Sequence, residues 1–243
     1  MAVFPRCFAP DAGPARTITL PPDDAHHLVN VLRLGPGDAV GLFDGMGGEW
    51  VGFVQATAPD VRVDIVQAAS PAPEPAVRVT LGIGLLKGAQ MDAVVRDATM
   101  LGVFAIAPIV TRHVAVPRQS WRVGSAVERW QRVAVASARQ CRRAVIPVVA
   151  PAMTFSDLLT SSSAGAVILC LEPGQAADLV STDPGPVPET ALVLVGPEGG
   201  WAPEEVEAAV ARGARLLHLG PRTIKAEVAP IVAMSVIWSR WGW

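Results

Sequence analysis

The sequence predicts an α/β protein in which a small, mainly β N-terminal domain precedes a larger domain built on a mostly parallel sheet. Before residue 70, short apolar runs alternate with turns and include one helical segment. Three of the five residues 71–75 are prolines, which favours a stiff, extended linker. From residue 76 onward strand-like and helical patterns alternate, and this alternation favours a parallel sheet with flanking helices.

Four β-type runs are predicted in the N-terminal domain, residues 1–70. They are 16–20, 39–43, 50–56 and 61–66. Asp44-Gly45 and Gly47-Gly48 supply the left-handed positions of a hairpin between the second and third runs. Residues 26–34 predict one short helix, which ends at Gly35-Pro36-Gly37. Together these elements predict a small β-barrel-like domain.

Strands and helices alternate in the C-terminal domain, residues 76–243. The predicted strands are 77–86, 103–110, 167–171, 192–195 and 216–219. The predicted helices cover about 91–101, 125–142 and 229–238. Gly102 closes the first helix, and Ser125 with Glu128 forms a capping-box pattern at the start of the second. Pro230 lies in the first turn of the third, where a proline loses no hydrogen bond.

Composition excludes several classes of protein. With 51% hydrophobic and 17% charged residues, the chain is globular rather than disordered. The apolar run 228–238 is too short to span a bilayer, and the N-terminus has no apolar signal core, so we expect a cytoplasmic protein without a membrane segment. Cys7, Cys141 and Cys170 are far apart, which indicates neither a disulfide framework nor a metal site.

Positive charge is concentrated in one part of the chain. Residues 112–143 contain eight arginines, no lysine and a single acid, Glu128, so this window carries +7 in a chain of net charge −2. The planar guanidinium suits phosphate, and such asymmetry favours an anionic partner such as RNA. The alternative is a solvated helix face in a protein from an arginine-rich proteome. We refer to these residues as the basic window.

Two glycine-rich loops carry the strongest functional signal. The strand 192–195 ends at Gly196-Pro197-Glu198-Gly199-Gly200, and the strand 216–219 ends at Gly220-Pro221. Ligands bind at the carboxyl ends of parallel strands, and glycine lets them approach the backbone. Neither loop has the spacing of the common nucleotide-binding motifs. From these loops alone, a ligand site and two ordinary strand-to-helix turns both remain open.

Four blocks of residues, in the same order and spread over nearly the whole chain, carry a resemblance to a known family. They are Pro5-Arg6 with 27–38 and 43–45; 87–92 with 98–102; 128–132; and 196–205 with 219–230. These blocks resemble those of the RsmE-type ribosomal RNA uridine N3-methyltransferases of the SPOUT superfamily. The resemblance implies a PUA-like RNA-binding N-terminal domain and a methyltransferase domain with a trefoil knot.

The resemblance also implies a cofactor and partners. The cofactor is S-adenosylmethionine, the substrate is the 16S ribosomal RNA or the small ribosomal subunit, and the enzyme is a homodimer that needs no metal. The implied cofactor-binding residues are Leu171, Glu172, Gly196, Pro197, Glu198, Gly199, Leu219, Gly220, Ile224 and Ala226. Together with the basic window, the resemblance suggests RNA contacts at Arg6, Arg33, Arg112, Arg132, Arg139, Arg142 and Arg143.

Methylation of N3 of uracil requires that its proton leave, so the site needs a base or a cation that stabilises the developing negative charge. The candidate catalytic residues are Arg6, Arg222, Lys225 and Glu227. Glu198 is a further candidate base. For Glu198 the alternative is a structural role in its loop, and for Glu227 it is capping of the last helix.

The chain departs from the usual residues of that family at several positions. They are Met100, Arg142, Ala202, Lys225, Ala226 and Val228. These departures leave open a paralogue with another RNA target, or a knotted RNA-binding assembly factor with little turnover. A third alternative, a small-molecule α/β enzyme that binds a nucleotide at the glycine loops, leaves the basic window unexplained.

Overall fold

The computed structural model describes residues 4–14, 16–115, 124–175 and 180–242. Their contacts group into two compact units. The N-terminal unit consists of Met1–Glu74 with Val135–Ile146, and the C-terminal unit consists of Pro75–Ala134 with Pro147–Trp243. The sequence places 135–146 in the C-terminal domain, whereas the contacts of these residues assign them to the N-terminal unit.

The N-terminal unit contains a five-stranded sheet in the order β1-β3-β4-β5-β2. Its strands are β1 Arg6–Phe8, β2 Thr17–Thr19, β3 Ala39–Phe43, β4 Glu49–Ala56 and β5 Arg62–Ala68. β1 pairs with β3 in parallel and the other pairs are antiparallel. The four predicted strands are confirmed, and β1 is an addition.

The helix of this unit begins earlier than the sequence predicts. α1 covers Pro22–His26 and continues as one turn of π-helix, His27–Val31. Pro22 fits the first turn, where its missing N–H has no partner to lose. Leu28 is fully buried with residues of β3 and β5, including Val40 and Val63.

The C-terminal unit contains an eight-stranded sheet in which every recorded pair is parallel. The strands are β6 Arg78–Gly84, β7 Ala105–Val110, β8 Val148–Val149, β9 Met153–Thr154, β10 Ala166–Leu171, β11 Val180–Ser181, β12 Thr190–Val195 and β13 Arg215–His218. Their order is β11-β13-β10-β12-β6-β7-β8, and β9 also pairs with β7. The predicted parallel sheet and its five predicted strands are confirmed. β8, β9 and β11 are two residues each, too short to leave a periodic pattern.

Helices connect these strands. They are α2 Ala89–Met100, α3 Gly124–Cys141, α4 Phe155–Ser161, α5 Pro203–Ala211 and α6 Ala229–Trp241. α2, α3 and α6 match the predicted helices. The central strands are buried almost throughout, as in Ala191–Val195 of β12, which is typical of a parallel sheet covered on both faces. In the described part of the chain, no helix is long and apolar enough to cross a membrane.

Candidate active site

A cavity of about 330 Å³ lies at the carboxyl ends of three neighbouring strands of the C-terminal unit. β10 contributes its last residues and the following Glu172 and Pro173. β12 contributes Val195 and the loop that follows, and the segment after β13 contributes most of 219–229. This volume lies within the range of sites that bind small molecules.

Nine of the ten predicted cofactor residues line this cavity. They are Leu171, Glu172, Gly196, Pro197, Glu198, Leu219, Gly220, Ile224 and Ala226. The candidate catalytic residues Arg222, Lys225 and Glu227 line it as well. The predicted cofactor-binding and catalytic residues did not include the lining residues Gln90, Cys170, Gly200, Trp201 and Thr223, although all of these except Cys170 lie in the four resembling blocks.

Gly199 is the one predicted cofactor-binding residue outside the described lining of the cavity, and it packs against His113 instead. A Cβ on Gly199 would lie 2.7 Å from Cβ of His113 and 2.9 Å from the carbonyl oxygen of His113. The ring Nδ1 of His113 lies 3.1 Å from the carbonyl oxygen of Gly199. The requirement for glycine here therefore comes from packing against the segment after β7. Among the described residues, Gly199 is not part of the cavity lining.

Trp201 fixes the loop after β12 against the end of β10. Its indole Nε1–H donates to the carbonyl oxygen of Cys170 at 2.9 Å, and its side chain is almost fully buried. The ring lies so close to Gly196 that a Cβ there would be 3.2 Å from it. Burial raises the pKa of the Cys170 thiol to about 12, so this thiol stays protonated at neutral pH.

Gly84 at the end of β6 supports the same loop from another side. A Cβ at this position would lie 2.4 Å from the nitrogen of Pro197 and 2.9 Å from the carbonyl carbon of Gly196. Both are backbone atoms, which cannot move aside as a flexible side chain can. The path of the loop between β12 and α5 therefore requires glycine at the end of β6.

Glu205 supplies one half of a capping box at the start of α5. Ala202 at the N-cap has no side-chain acceptor, but Oε2 of Glu205 accepts the Ala202 backbone N–H at 3.0 Å. Oε1 of the same carboxylate accepts the Arg112 backbone N–H at 2.9 Å. The buried Glu205 thus ties the segment after β7 to the start of α5.

The polar wall of the cavity combines cations, carboxylates and one amide. Gln90 at the start of α2 donates from Nε2 to Oε2 of Glu227 at 3.2 Å. Arg222 and Lys225 are exposed at the rim. Leu219, Ile224 and Ala226 supply apolar wall next to these groups. The lining thus contains carboxylates, which can accept a proton, and cations, which can stabilise negative charge.

Arg6 lies in the N-terminal unit, and its surroundings show contacts within that unit, whereas its expected roles in catalysis and RNA binding stay predictions. The residue is only 5% exposed. Its Nε lies 3.0 Å from Oε1 of Glu49, it donates to the carbonyl oxygen of Ala138 at 3.2 Å, and its guanidinium covers the Phe43 ring at 4.5 Å. Burial lowers the pKa of Arg6, although the nearby Glu49 opposes this shift. The guanidinium is thus used within the unit.

Arg139 and Arg143 likewise pair with acids inside the unit, so these side chains are less available to phosphates than the sequence predicts. Arg139 forms an ion pair with Asp24 at 2.7 Å, and Arg143, which is 6% exposed, pairs with Glu74 at 2.6 Å. Together with Arg6 they hold residues 135–146 to the rest of the N-terminal unit. The positive charge of this part of the basic window is neutralised by these acids.

The other RNA candidates remain accessible. Arg33, Arg112 and Arg132 are exposed, and Arg142 is half-buried with a φ of +65°. Arg129 of the basic window forms an ion pair with Asp92. Arg118 and Arg122 of the same window lie outside the described residues. The described residues contain no group of three His, Cys, Asp or Glu side chains that could hold a metal ion.

Two sequence profiles match this chain. That of the RNA methyltransferase domain covers residues 73–238, and that of the RNA methyltransferase PUA domain covers residues 20–65. The chain belongs to the RNA methyltransferase family. Among the members of this family, ribosomal RNA small subunit methyltransferase E of Synechocystis is 32% identical over 236 residues, which cover 94% of this chain and 75% of that protein. The enzyme of the same name from Mycobacterium tuberculosis is 30% identical over 245 residues, covering 96% and 90%.

Solved structures agree with this assignment to the RNA methyltransferase family. Ribosomal RNA small subunit methyltransferase E of Neisseria gonorrhoeae, bound to S-adenosyl methionine, superposes with a TM-score of 0.86 at 25% identity, covering 98% of each chain. A structure from Legionella pneumophila, in complex with the bound cofactor SAM, has a TM-score of 0.88 at 24% identity with the same coverage. The latter likeness concerns the fold.

Proposed function

We propose that this protein transfers a methyl group from S-adenosylmethionine to N3 of a uridine in 16S ribosomal RNA. The observation that carries the proposal is the cavity at the ends of β10, β12 and β13. Its walls combine glycine-rich backbone with Arg222, Lys225 and Glu227, and these residues come from the blocks that resemble the RsmE-type enzymes. The names of the relatives support a small-subunit ribosomal RNA as the substrate.

The residues around the cavity fit the cofactor. Gly200 and Gly220 line it with φ values of +68° and +125°, which only glycine adopts readily, so their backbone groups can face a ligand closely. Leu219, Ile224 and Ala226 offer apolar surface for an adenine ring. When bound, S-adenosylmethionine supplies the methyl group as a sulfonium electrophile. The structure of the Neisseria gonorrhoeae relative with this molecule supports the assignment.

The chain's own residues then have separate tasks. Glu227 accepts the proton that leaves N3 of the uracil ring. Arg222 and Lys225 stabilise the negative charge that develops on the uracil oxygens as the proton leaves. The buried lining residues Trp201, Pro197 and Gly200 exclude water from the reacting atoms.

Binding of the cofactor is tested by calorimetric titration of the full-length protein with S-adenosylmethionine. We expect one site per chain with a dissociation constant of roughly 1 μM, about −8 kcal/mol. Titration with the demethylated product, S-adenosylhomocysteine, provides a second ligand for the same site. The absence of both heat and a thermal shift with either ligand would exclude the methyltransferase assignment.

We also propose a homodimer and a trefoil knot in the C-terminal unit, both implied by the family resemblance. Val228 is exposed and Ile231, Val232 and Val236 on α6 are half-buried, so apolar surface remains for a second copy. Light scattering should give twice the mass of one chain, and a monomeric mass at micromolar concentration would contradict the dimer. An experimental chain trace without a threaded loop between residues 171 and 229 would contradict the knot.

The domain assignments stay part of this proposal. Residues 1–70 are assigned to PUA-like RNA binding, 71–75 to the linker and 76–243 to methyl transfer, in a protein that meets ribosomal RNA in the cytoplasm. The exposed Arg33, Arg112 and Arg132 are the cations that we expect to contact phosphates. A variant that removes residues 1–70 but methylates RNA as efficiently as the full chain would contradict the assignment of RNA binding to this region.

Reversing the charge of Arg112 and Arg132 together is expected to weaken RNA binding. Each lost phosphate contact should lower the dependence of log K on log salt by roughly one unit. Affinity for S-adenosylmethionine should stay within about twofold, because neither side chain lines the cavity. Filter binding at several salt concentrations measures the effect, with Arg96→Glu, an exposed arginine outside the basic window, as the matched control. An unchanged salt slope in the double variant would contradict phosphate contacts at these residues.

A further inference from the structure

We propose that Gln90 is a positioning residue for the base Glu227. Its side-chain amide holds one carboxylate oxygen of Glu227 and fixes the orientation of that carboxylate, so that the other oxygen can take up the N3 proton. This inference rests on the proposed function, in which Glu227 is the proton acceptor. The sequence motifs did not single out Gln90 for any role in catalysis.

The contact joins two parts of the chain that are far apart in sequence. Gln90 is the second residue of α2, and its Nε2 donates to Oε2 of Glu227 at 3.2 Å. Both side chains are half-buried, and both residues line the cavity. A hydrogen bond to a carboxylate in such a place is stronger than one between neutral groups. Gln90 is therefore placed to control the carboxylate from within the site.

The backbone on both sides of this contact is fixed. The carbonyl oxygen of Lys225 accepts the N–H groups of Val228 and Ala229, each at 2.9 Å, so that a tight turn encloses Glu227. The Gln90 backbone N–H donates to the carbonyl oxygen of Lys87 at 3.2 Å at the start of α2. With both backbones held, the remaining freedom of Glu227 lies in its side-chain torsions. The amide of Gln90 restricts those torsions.

The lining of the cavity carries charges of both signs. Arg222 and Lys225 line it as cations, whereas Glu172 and Glu198 line it as carboxylates. The amide of Gln90 lies within hydrogen-bond distance of Glu227 and donates at every pH. Removing the donor should therefore let the carboxylate turn away from the reacting proton and lower kcat.

Gln90→Leu tests the proposal in the full-length protein, with methyl transfer to small-subunit ribosomal RNA as the assay. We expect kcat to fall about tenfold. KM for RNA and the dissociation constant of S-adenosylmethionine should stay within about twofold. Gln140→Leu, which replaces an exposed glutamine on α3, is the matched control and should retain the wild-type kcat.

Gln90→Glu keeps the size of the side chain but replaces the donor with a second carboxylate. Because two carboxylates repel each other, it should lower kcat at least as far as Gln90→Leu does, which provides a test if the leucine variant folds poorly. In combination with Glu227→Gln, the Gln90→Leu change should cause little additional loss, because the group it positions is already absent.

The outcomes separate this inference from the proposed function. A wild-type protein that transfers no methyl group would overturn the proposed function and, with it, the role of Gln90. An active wild type in which Gln90→Leu behaves like Gln140→Leu would overturn the role of Gln90 alone. If Gln90→Leu and Glu227→Gln lower kcat by independent factors that multiply in the double variant, the role of Gln90 is likewise overturned.

Discussion

Replacing Arg6 by methionine is expected to lower the free energy of unfolding by about 3–5 kcal/mol. The change leaves the carboxylate of Glu49, which is 12% exposed, without its cation. It also removes the donor to the carbonyl oxygen of Ala138, which helps to hold residues 135–146 in the N-terminal unit. Denaturant unfolding followed by circular dichroism measures the loss.

Arg33→Met is the matched control, because Arg33 lies in the same unit and is exposed. Its effect should stay within about 0.5 kcal/mol. An Arg6→Met variant that is as stable as Arg33→Met but fails to transfer methyl groups would contradict this account. That result would support the sequence-based prediction that Arg6 acts at the reacting base.

Replacing Gly84 by alanine is expected to weaken binding of S-adenosylmethionine at least about tenfold, a change of 1.4 kcal/mol. The added Cβ would lie 2.4 Å from the nitrogen of Pro197, so the loop after β12 must move. That loop forms one wall of the cavity, although Gly84 itself is not among the lining residues that the structure describes. Overpacking should also reduce stability by roughly 1–3 kcal/mol. Calorimetric titration and thermal unfolding measure the two effects.

Gly35→Ala controls for the change of glycine to alanine, because a Cβ at Gly35 meets nothing within 4 Å. This variant should bind the cofactor as the wild type does. Wild-type affinity and melting temperature in Gly84→Ala would contradict the idea that the end of β6 fixes the cavity loop. A Gly84→Ala variant that keeps wild-type stability but loses cofactor binding would still support the role of the end of β6.

The cavity loops could be predicted from sequence because their signals are local. The apolar runs that became β12 and β13 end at Gly-Pro loops, and a parallel sheet brings such strand ends to one edge. The resemblance supplied the third loop, after β10. Gly199 followed the same local pattern, but its neighbour His113 is 86 residues away and no local pattern shows it.

The roles of the arginines could not be predicted in the same way. Arg6, Arg139 and Arg143 have acidic partners between 43 and 115 residues away, and a buried arginine has the same local signature as an exposed one. The sequence therefore predicts one basic face for the basic window. In the structure, Arg139 and Arg143 instead pair with acids, whereas Arg112 and Arg132 are exposed. The contact of Gln90 with Glu227 could not be predicted for a related reason, because the two residues are 137 positions apart in sequence.

The most direct test is nucleoside mass spectrometry of 16S ribosomal RNA after incubation of unmodified small subunits with the purified protein and S-adenosylmethionine carrying a deuterated methyl group. We expect one labelled 3-methyluridine per subunit, which should be absent with Glu227→Gln and retained with Gln140→Leu. No label at N3 of any uridine, with the protein still bound to the subunit and to the cofactor, would contradict the proposed methyl transfer. That result would instead favour an assembly factor that binds RNA without modifying this atom.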